Sequence, residues 1–226
     1  MSDLLTKYLP NVIKMQDMYF KAIQQTAYMM LYSSIFSLSI GLVLGVVLVV
    51  TREGGILENK YIYHSLDKIS NVFRSVPFII LITGILPLTR ILIGVGIGAK
   101  ATIFPLTLGC VPFFMRQVDM ALSDIDPGLI EAAESMGLSP FKIITRVYIK
   151  ESIPALVRSV TITLVSLLGL TAMAGTVGGG GLGDFAVNVG HARNFNDIIY
   201  VSVITILVIV TLIQGIGNLV IKKVQH

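Results

Sequence analysis

Six glycines fall within nine positions of the stretch GTVGGGGLGDF, residues 175–185. Gly178, Gly180 and Gly183 satisfy the spacing G-x-G-x-x-G, in which bare backbone N–H groups cradle a dinucleotide pyrophosphate. Gly175 and Gly180 also have the outer spacing of an ATP-binding loop, yet Gly181 and Leu182 stand where that loop needs Lys and Ser or Thr. Without the lysine nothing reaches the terminal phosphates, so the chain is not expected to hydrolyse ATP. Other reactive residues are sparse. Cys110 is the only cysteine and lies in an apolar run, which reads as a small buried hydrophobe and precludes a disulfide framework within one chain. His64, His191 and His226 are scattered without the i, i+4 spacing of a helical metal site. Glu131 and Glu134, one helical turn apart in an Ala-rich segment, are the remaining candidates, as oriented acceptors on a helix surface.

What those residues do depends on the elements that hold them. The chain has 226 residues, 54% of them hydrophobic and only 13% charged, whereas a soluble domain carries about 25% charged residues. Its mean hydropathy is +0.83. So much apolar surface exceeds what one small core hides, and it points to lipid. The formal net charge is +4, but the basic residues sit between apolar segments, which argues against nucleic acid. The first apolar run, 26–50, has 25 residues. As a helix it reaches roughly 37 Å, more than a ~30 Å hydrocarbon core. Further runs cover 70–88 (with Arg74 and Pro77), 101–115 (short, and broken by Pro105 and Pro112), 155–174 (with Arg158) and 198–221. The reading is an all-α membrane protein with about five transmembrane helices. Gly41 and Gly45 form a G-x-x-x-G surface suited to close helix approach.

Five spans put the termini on opposite sides. With the N-terminus outside, the inner segments carry nine basic residues (Arg52, Lys60, Lys68, Arg116, Lys142, Arg146, Lys150, Lys222, Lys223) and the outer ones six (Lys7, Lys14, Lys21, Arg90, Lys100, Arg193). The excess favours N-out, C-in. Arg74 and Arg158 lie about one turn inside apolar runs. An arginine at the bilayer centre costs at least about 2.5–3.5 kcal/mol, so each is either a headgroup anchor or a pathway residue. No chain of intramembrane Asp, Glu or His marks a proton-coupled carrier.

The longest inner connection, about 117–153, has its own punctuation. Asp126 is an N-cap candidate, Pro127 a first-turn residue and Gly137 a stop, followed by Ser139 and Pro140 as a second cap and start. This predicts helix, glycine turn, helix on the inner face. Glu131-Ala132-Ala133 with Gly137 resembles the EAA loop of ABC importer permeases. The second half of that motif is altered, with Val147 and Ile149 at its apolar positions and Lys150 in place of its proline. NVFRSVPFIILITGILPLTRILIG (71–94), ATIFPLTLGCVPFFMRQVDMAL (101–122) and AMAGTVGGGGLGD (172–184) are similar to the methionine uptake branch of these permeases.

The resemblance implies a type I permease domain over 22–217, preceded by an outer or interfacial segment, 1–21, and followed by a cytoplasmic tail, 218–226. It implies a bacterial cell-membrane homodimer that docks Glu131, Ala132, Ala133 and Gly137 onto a cytoplasmic ABC ATPase dimer. ATP and Mg would sit on that partner, with no cofactor on this chain. An extracytoplasmic binding protein, often a lipoprotein, would deliver L- or D-methionine for import by alternating access. A different amino acid, a stand-alone channel and a membrane enzyme are the competing readings. Arg74, Pro77, Gly178, Gly180 and Gly183 are candidate pathway or hinge residues. The glycines then follow the fourth span on the outer face, away from ATP, where they permit a sharp turn and close packing.

Overall fold

The computed structural model describes residues 8–224, and every regular element among them is helical. Lys7 and His226, both used in the sequence reading, lie outside the described residues. A short helix α1 (Pro10–Lys14) begins on proline, where a missing N–H is harmless. Helix α2 (Gln16–Thr51) follows, with 36 residues. At 1.5 Å per residue it reaches about 54 Å, well beyond a ~30 Å hydrocarbon core. It starts ten residues ahead of the apolar run expected from residue 26, because 16–25 contain no Gly or Pro to stop it.

Helix α3 (Lys60–Ser75) opens on Asn59, whose side chain accepts from the N–H groups of Tyr61 and Ile62. Ile62, Leu66, Ile69 and Phe73 recur at helical spacing opposite a polar face, so α3 is amphipathic. The run expected to be one span over 70–88 is instead split. Val76 is extended (φ −87°, ψ 124°) before Pro77, and α4 (Phe78–Ile93) begins after it. The ring of Pro77 disfavours a helical Val76, so the break is local chemistry. Helix α4 ends on Gly94 in the left-handed region (φ +76°).

The third run is longer than expected. Helix α5 (Ala99–Ser123) continues through both Pro105 and Pro112 over 25 residues. Its buried positions, among them Leu106, Phe114 and Val118, hold it against neighbours despite two lost backbone donors. The inner connection contains α6 (Pro127–Ser135), α7 (Pro140–Ile143), a π turn (Ile144–Tyr148) and α8 (Ile149–Glu151). Helix α9 (Ile153–Ala174) leads into the glycine turn and α10 (Gly181–Asp184), and α11 (Asn196–Val224) closes the described chain. Four helices, α2, α5, α9 with its following turn, and α11, are each long and apolar enough to cross a membrane; α3 and α4 make a fifth span only as a bent pair. Most side chains of α11 are uncovered, including Leu207, Leu212 and Leu219, as a lipid-facing or partner-facing helix requires.

The helices divide into two compact units. One takes residues up to Ile35, Pro77–Leu108 and Leu164–Ile213; the other takes Phe36–Val76, Gly109–Thr163 and the chain from Gln214. The first buries Val12, Ala22, Leu182, Phe185, Val189 and Ile198 together. Its α1 is tied to α11 by Asp197, which accepts from the backbone N–H groups of Asn11 (2.8 Å) and Val12 (3.2 Å) and from the Asn11 side chain (3.0 Å). The second unit is built on Val49, Phe114, Val118, Leu122, Ala133, Ile143 and Tyr148. Here the expected glycine pair brings α2 onto α5. A Cβ on Gly45 would meet Val118 Cβ at 2.6 Å and the Met115 carbonyl at 2.8 Å, and one on Gly41 would meet Phe114 Cδ1 at 2.8 Å.

Candidate functional site

The inner connection is a folded surface of the second unit. Asp126 Oδ1 accepts from the Gly128 N–H at 2.8 Å and starts α6, as expected. The helix stops where Gly137 takes φ +74°. The Gly137 N–H donates to the Glu134 carbonyl (2.9 Å) and the Leu138 N–H to that of Ala133 (3.2 Å). This paired closure is a Schellman motif, and it needs a left-handed residue at position 137. Leu138 then packs into the cluster that buries Ala133. Ser139 is extended ahead of α7, but its side chain makes no capping bond, contrary to the sequence expectation. The second short helix ends one residue past Lys150. It runs through the π turn to Glu151, and only Ser152 (φ −88°, ψ 3°) separates it from α9. The Ser152 hydroxyl donates to the Ala121 carbonyl at 3.1 Å, which fixes that corner to α5.

Helix α6 therefore has two apolar sides. Ala133 and Ile130 face the core. Leu129, Ala132 and Met136, spaced three and four apart, are exposed, Met136 to 73%, and Phe141 beyond the turn to 74%. Glu131 and Glu134, one turn apart, are also exposed and form no ion pair among the described residues. Small and uncovered apolar side chains on a helix that also exposes two carboxylates form a surface that a second protein's cleft would complete. Beneath it Tyr148 is buried, and burial pushes its phenol above the ordinary value, so it stays neutral and acts as packing.

A group that the sequence did not single out lies in the same unit. Arg116 on α5 pairs with Asp67 of α3 and, at 3.2 Å, with Asp119 one turn along its own helix. The Asn71 amide donates to Asp67 Oδ2 at 3.1 Å. All three ionic side chains are more than two-thirds buried. Asp119 was legible at i, i+3 from Arg116, but Asp67, 49 residues away, was not. Arg74 is exposed in the last turn of the amphipathic helix α3. Arg158 is likewise exposed, near the start of α9.

The glycine stretch belongs to the first unit. After α9, residues 175–179 make a π turn that Val177 and Gly178 (φ +91°) kink. Gly180 (φ +74°) and Gly181 (φ +81°) are also left-handed. Gly183 has ordinary φ, but a Cβ there would overlap the Ala172 carbonyl, so its role is close packing. Two of the N–H groups that would face a phosphate already have acceptors. Gly181 donates to Gln25 Oε1 and Leu182 to Thr26 Oγ1, each at 2.9 Å. The stretch follows a helix and not a strand, and its amides hold α2. Gly178, Gly180 and Gly183 are thus brought together in one turn, whereas Arg74 and Pro77 form a separate feature at the break between α3 and α4.

The chain is similar to known proteins along most of its length. Residues 37–226 match the family described as binding-protein-dependent transport system inner membrane component. The chain is 43% identical over 210 residues to a probable D-methionine transport system permease protein, MetI, of Vibrio cholerae, covering 93% of both chains. It is 41% identical over 217 residues to the methionine import system permease protein MetP of Bacillus subtilis, covering 96% of this chain and 97% of that one. Among solved structures it is similar to a chain of the MetNI methionine ABC transporter in an inward-facing conformation, with a TM-score of 0.91, 39% identity and coverage of 93% of this chain and 98% of that one. A multi-pass helical chain with this loop, matched along most of its length, belongs to the family of binding-protein-dependent transport system inner membrane components.

Proposed function

We propose that this chain is the membrane-spanning permease subunit of an ATP-driven importer of methionine, L- or D-, working by alternating access. The observation that carries this reading is the face of α6: Glu131, Ala132 and Glu134 exposed beside Leu129 and Met136, on a helix closed by Gly137. A separate cytoplasmic ATPase would seat that face in a cleft and supply ATP and Mg. Relatives of nearly the same length that are named for methionine import support the choice of cargo.

In this reading two copies of the chain pair in the bacterial cell membrane, each bringing one α6 to an ATPase dimer. Closure of the ATPases on ATP pushes the two loops, and the balance between inward- and outward-open states shifts by the difference in binding to each. The loop precedes α9 and the glycine turn follows it, so a spanning α9 puts them on opposite faces. The N-terminus is then outside, the C-terminus inside, and an extracytoplasmic methionine-binding protein delivers the cargo. The boundaries 1–21, 22–217 and 218–226 belong to this proposal, as do hinge roles for Pro77, Gly178, Gly180 and Gly183 and a pathway role for Arg74.

The deciding experiment is reconstitution. Permease, ATPase and binding protein in proteoliposomes should hydrolyse ATP faster when methionine is added outside. Stimulation by another amino acid and not by methionine would replace the cargo. A chain that never retains an ATPase on co-expression would end the importer reading.

A further inference from the structure

One cavity of the first unit lies against the glycine turn. Its volume is about 290 Å³. This is the lower end of the range for ligand sites, room for one amino acid and too little for a peptide. Its wall carries one cation and one anion, Lys21 of α2 and Asp184 of α10. They do not neutralise each other, since the ion pairs among the described residues do not include them. Lys21 is exposed on α2. Asp184 accepts from the Asn188 amide on Oδ1 at 2.7 Å, which leaves Oδ2 open among the described residues. Met18, Ala22, Phe185 and Val189 make the apolar part of the lining.

The floor is held in place. Gly181 is tied to Gln25 and Leu182 to Thr26, and the Gly98 N–H donates to the Gly178 carbonyl at 2.9 Å. Four of the lining positions are glycines, which present no side chain to fill the space: Gly98, Gly178, Gly180 and Gly181. Opposite charges that share a wall without pairing complement a molecule that carries both charges itself. A wall fixed by backbone and buried side chains loses little entropy on binding it.

We propose that this cavity binds a single free α-amino acid, with Lys21 Nζ on its carboxylate, Asp184 Oδ2 on its ammonium, and Met18, Ala22 and Phe185 beside its side chain. The proposal deepens the importer reading and rests on it for methionine as the ligand. Charge-assisted bonds at both ends select the free zwitterion over a molecule blocked at either end.

The test uses the intact complex of permease and ATPase in nanodiscs, without binding protein. Binding of methionine, N-acetylmethionine and methionine amide is measured by equilibrium dialysis, with binding to the ATPase alone subtracted. Blocking either end should weaken binding about tenfold or more. Asp184→Asn should abolish the preference against N-acetylmethionine and keep that against the amide; Lys21→Gln should do the reverse. Met18→Trp, at an exposed position, should fill the cavity and abolish binding while the complex still co-elutes. If both charge variants keep the wild-type order of preference, or no amino acid binds, the proposal is overturned. It is equally overturned if Lys21→Gln changes only the phospholipid retained, which would make Lys21 a headgroup anchor. The two readings separate cleanly. Methionine-driven uptake with unchanged preferences sinks the cavity and leaves the cargo, whereas the predicted pattern with another amino acid sinks the cargo and leaves the cavity.

Discussion

The Leu138 N–H reaches back 3.2 Å to the carbonyl of Ala133, so the first residue past the glycine stop and the buried alanine inside α6 are joined across Gly137. The exposed face of α6 is held at a set angle by this closure and not by its own nine residues, too few for a stable isolated helix.

Replacing Gly137 should therefore act on docking. A β-branched residue at φ +74° is strained by about 1–2 kcal/mol, and Gly137→Val should loosen the turn without touching the spans. The expected outcome is normal membrane insertion with a reduced yield of ATPase on co-purification. Glu131→Arg should give the same loss by reversing a charge on the exposed face. Full retention of ATPase by both variants would rule out this surface as the contact.

Glycines inside the long helices should rank by what surrounds them. Gly45→Ala must displace the Met115 carbonyl and Val118 Cβ, whereas Gly41→Ala meets chiefly a movable Phe114 ring, and Gly84→Ala and Gly215→Ala meet nothing within 4 Å. Thermal unfolding in detergent should show a loss of about 1–3 kcal/mol at Gly45, less at Gly41 and little at the other two. Equal effects at all four would remove close approach as the cause.

Arg116 holds two carboxylates, so the two ends of the group are not equivalent. Arg116→Met leaves Asp67 and Asp119 mostly buried with no cation, while Asp67→Asn leaves Arg116 still paired with Asp119. The arginine variant should lose on the order of 2–4 kcal/mol and the aspartate variant clearly less. Denaturation of the purified complex tests the order, and a larger loss for Asp67→Asn would contradict it.

Thr26→Val keeps the shape of a buried side chain and removes the acceptor of the Leu182 N–H. An orphaned buried donor costs about 1–3 kcal/mol. Hydrogen exchange at residues 181–183 should speed up while exchange in the inner loop stays as it was. Unchanged exchange at Leu182 would mean that this bond does not hold the turn.

Much of this could be read in advance where the signal is local. Asp126 before Pro127 and Gly137 ten residues on each specify a neighbour within a turn or two, and each does what its chemistry demands; the glycine pair four apart marks a face for close approach but does not name the helix that comes there. The failures are also local in part. Ser139 has the right residue type and backbone for a cap, but its side chain does not turn back to the helix. Pro77 breaks its run with Val76 extended before it, while Pro105 and Pro112 leave α5 unbroken because that helix is packed along its length. Partners distant in sequence left no trace: Asp67 and Arg116, or Gln25 and Gly181, are ordinary residues until the fold joins them. The six glycines were conspicuous for nucleotide spacing, yet the residues that explain Gly180 and Gly181, Gln25 and Thr26, looked like the unremarkable start of a span.

Gln25 and Gly181 are 156 residues apart in the chain. At about 5–20 residues per second, a ribosome needs roughly 8–30 s to travel between them. For that interval the first helix waits in the bilayer with its amide and hydroxyl unmatched by their eventual donors. A truncated chain ending before the glycine turn would never match them. Completion of the fourth span is thus recorded on the first, and the bonds at Gln25 and Thr26 distinguish a finished subunit from an abandoned one.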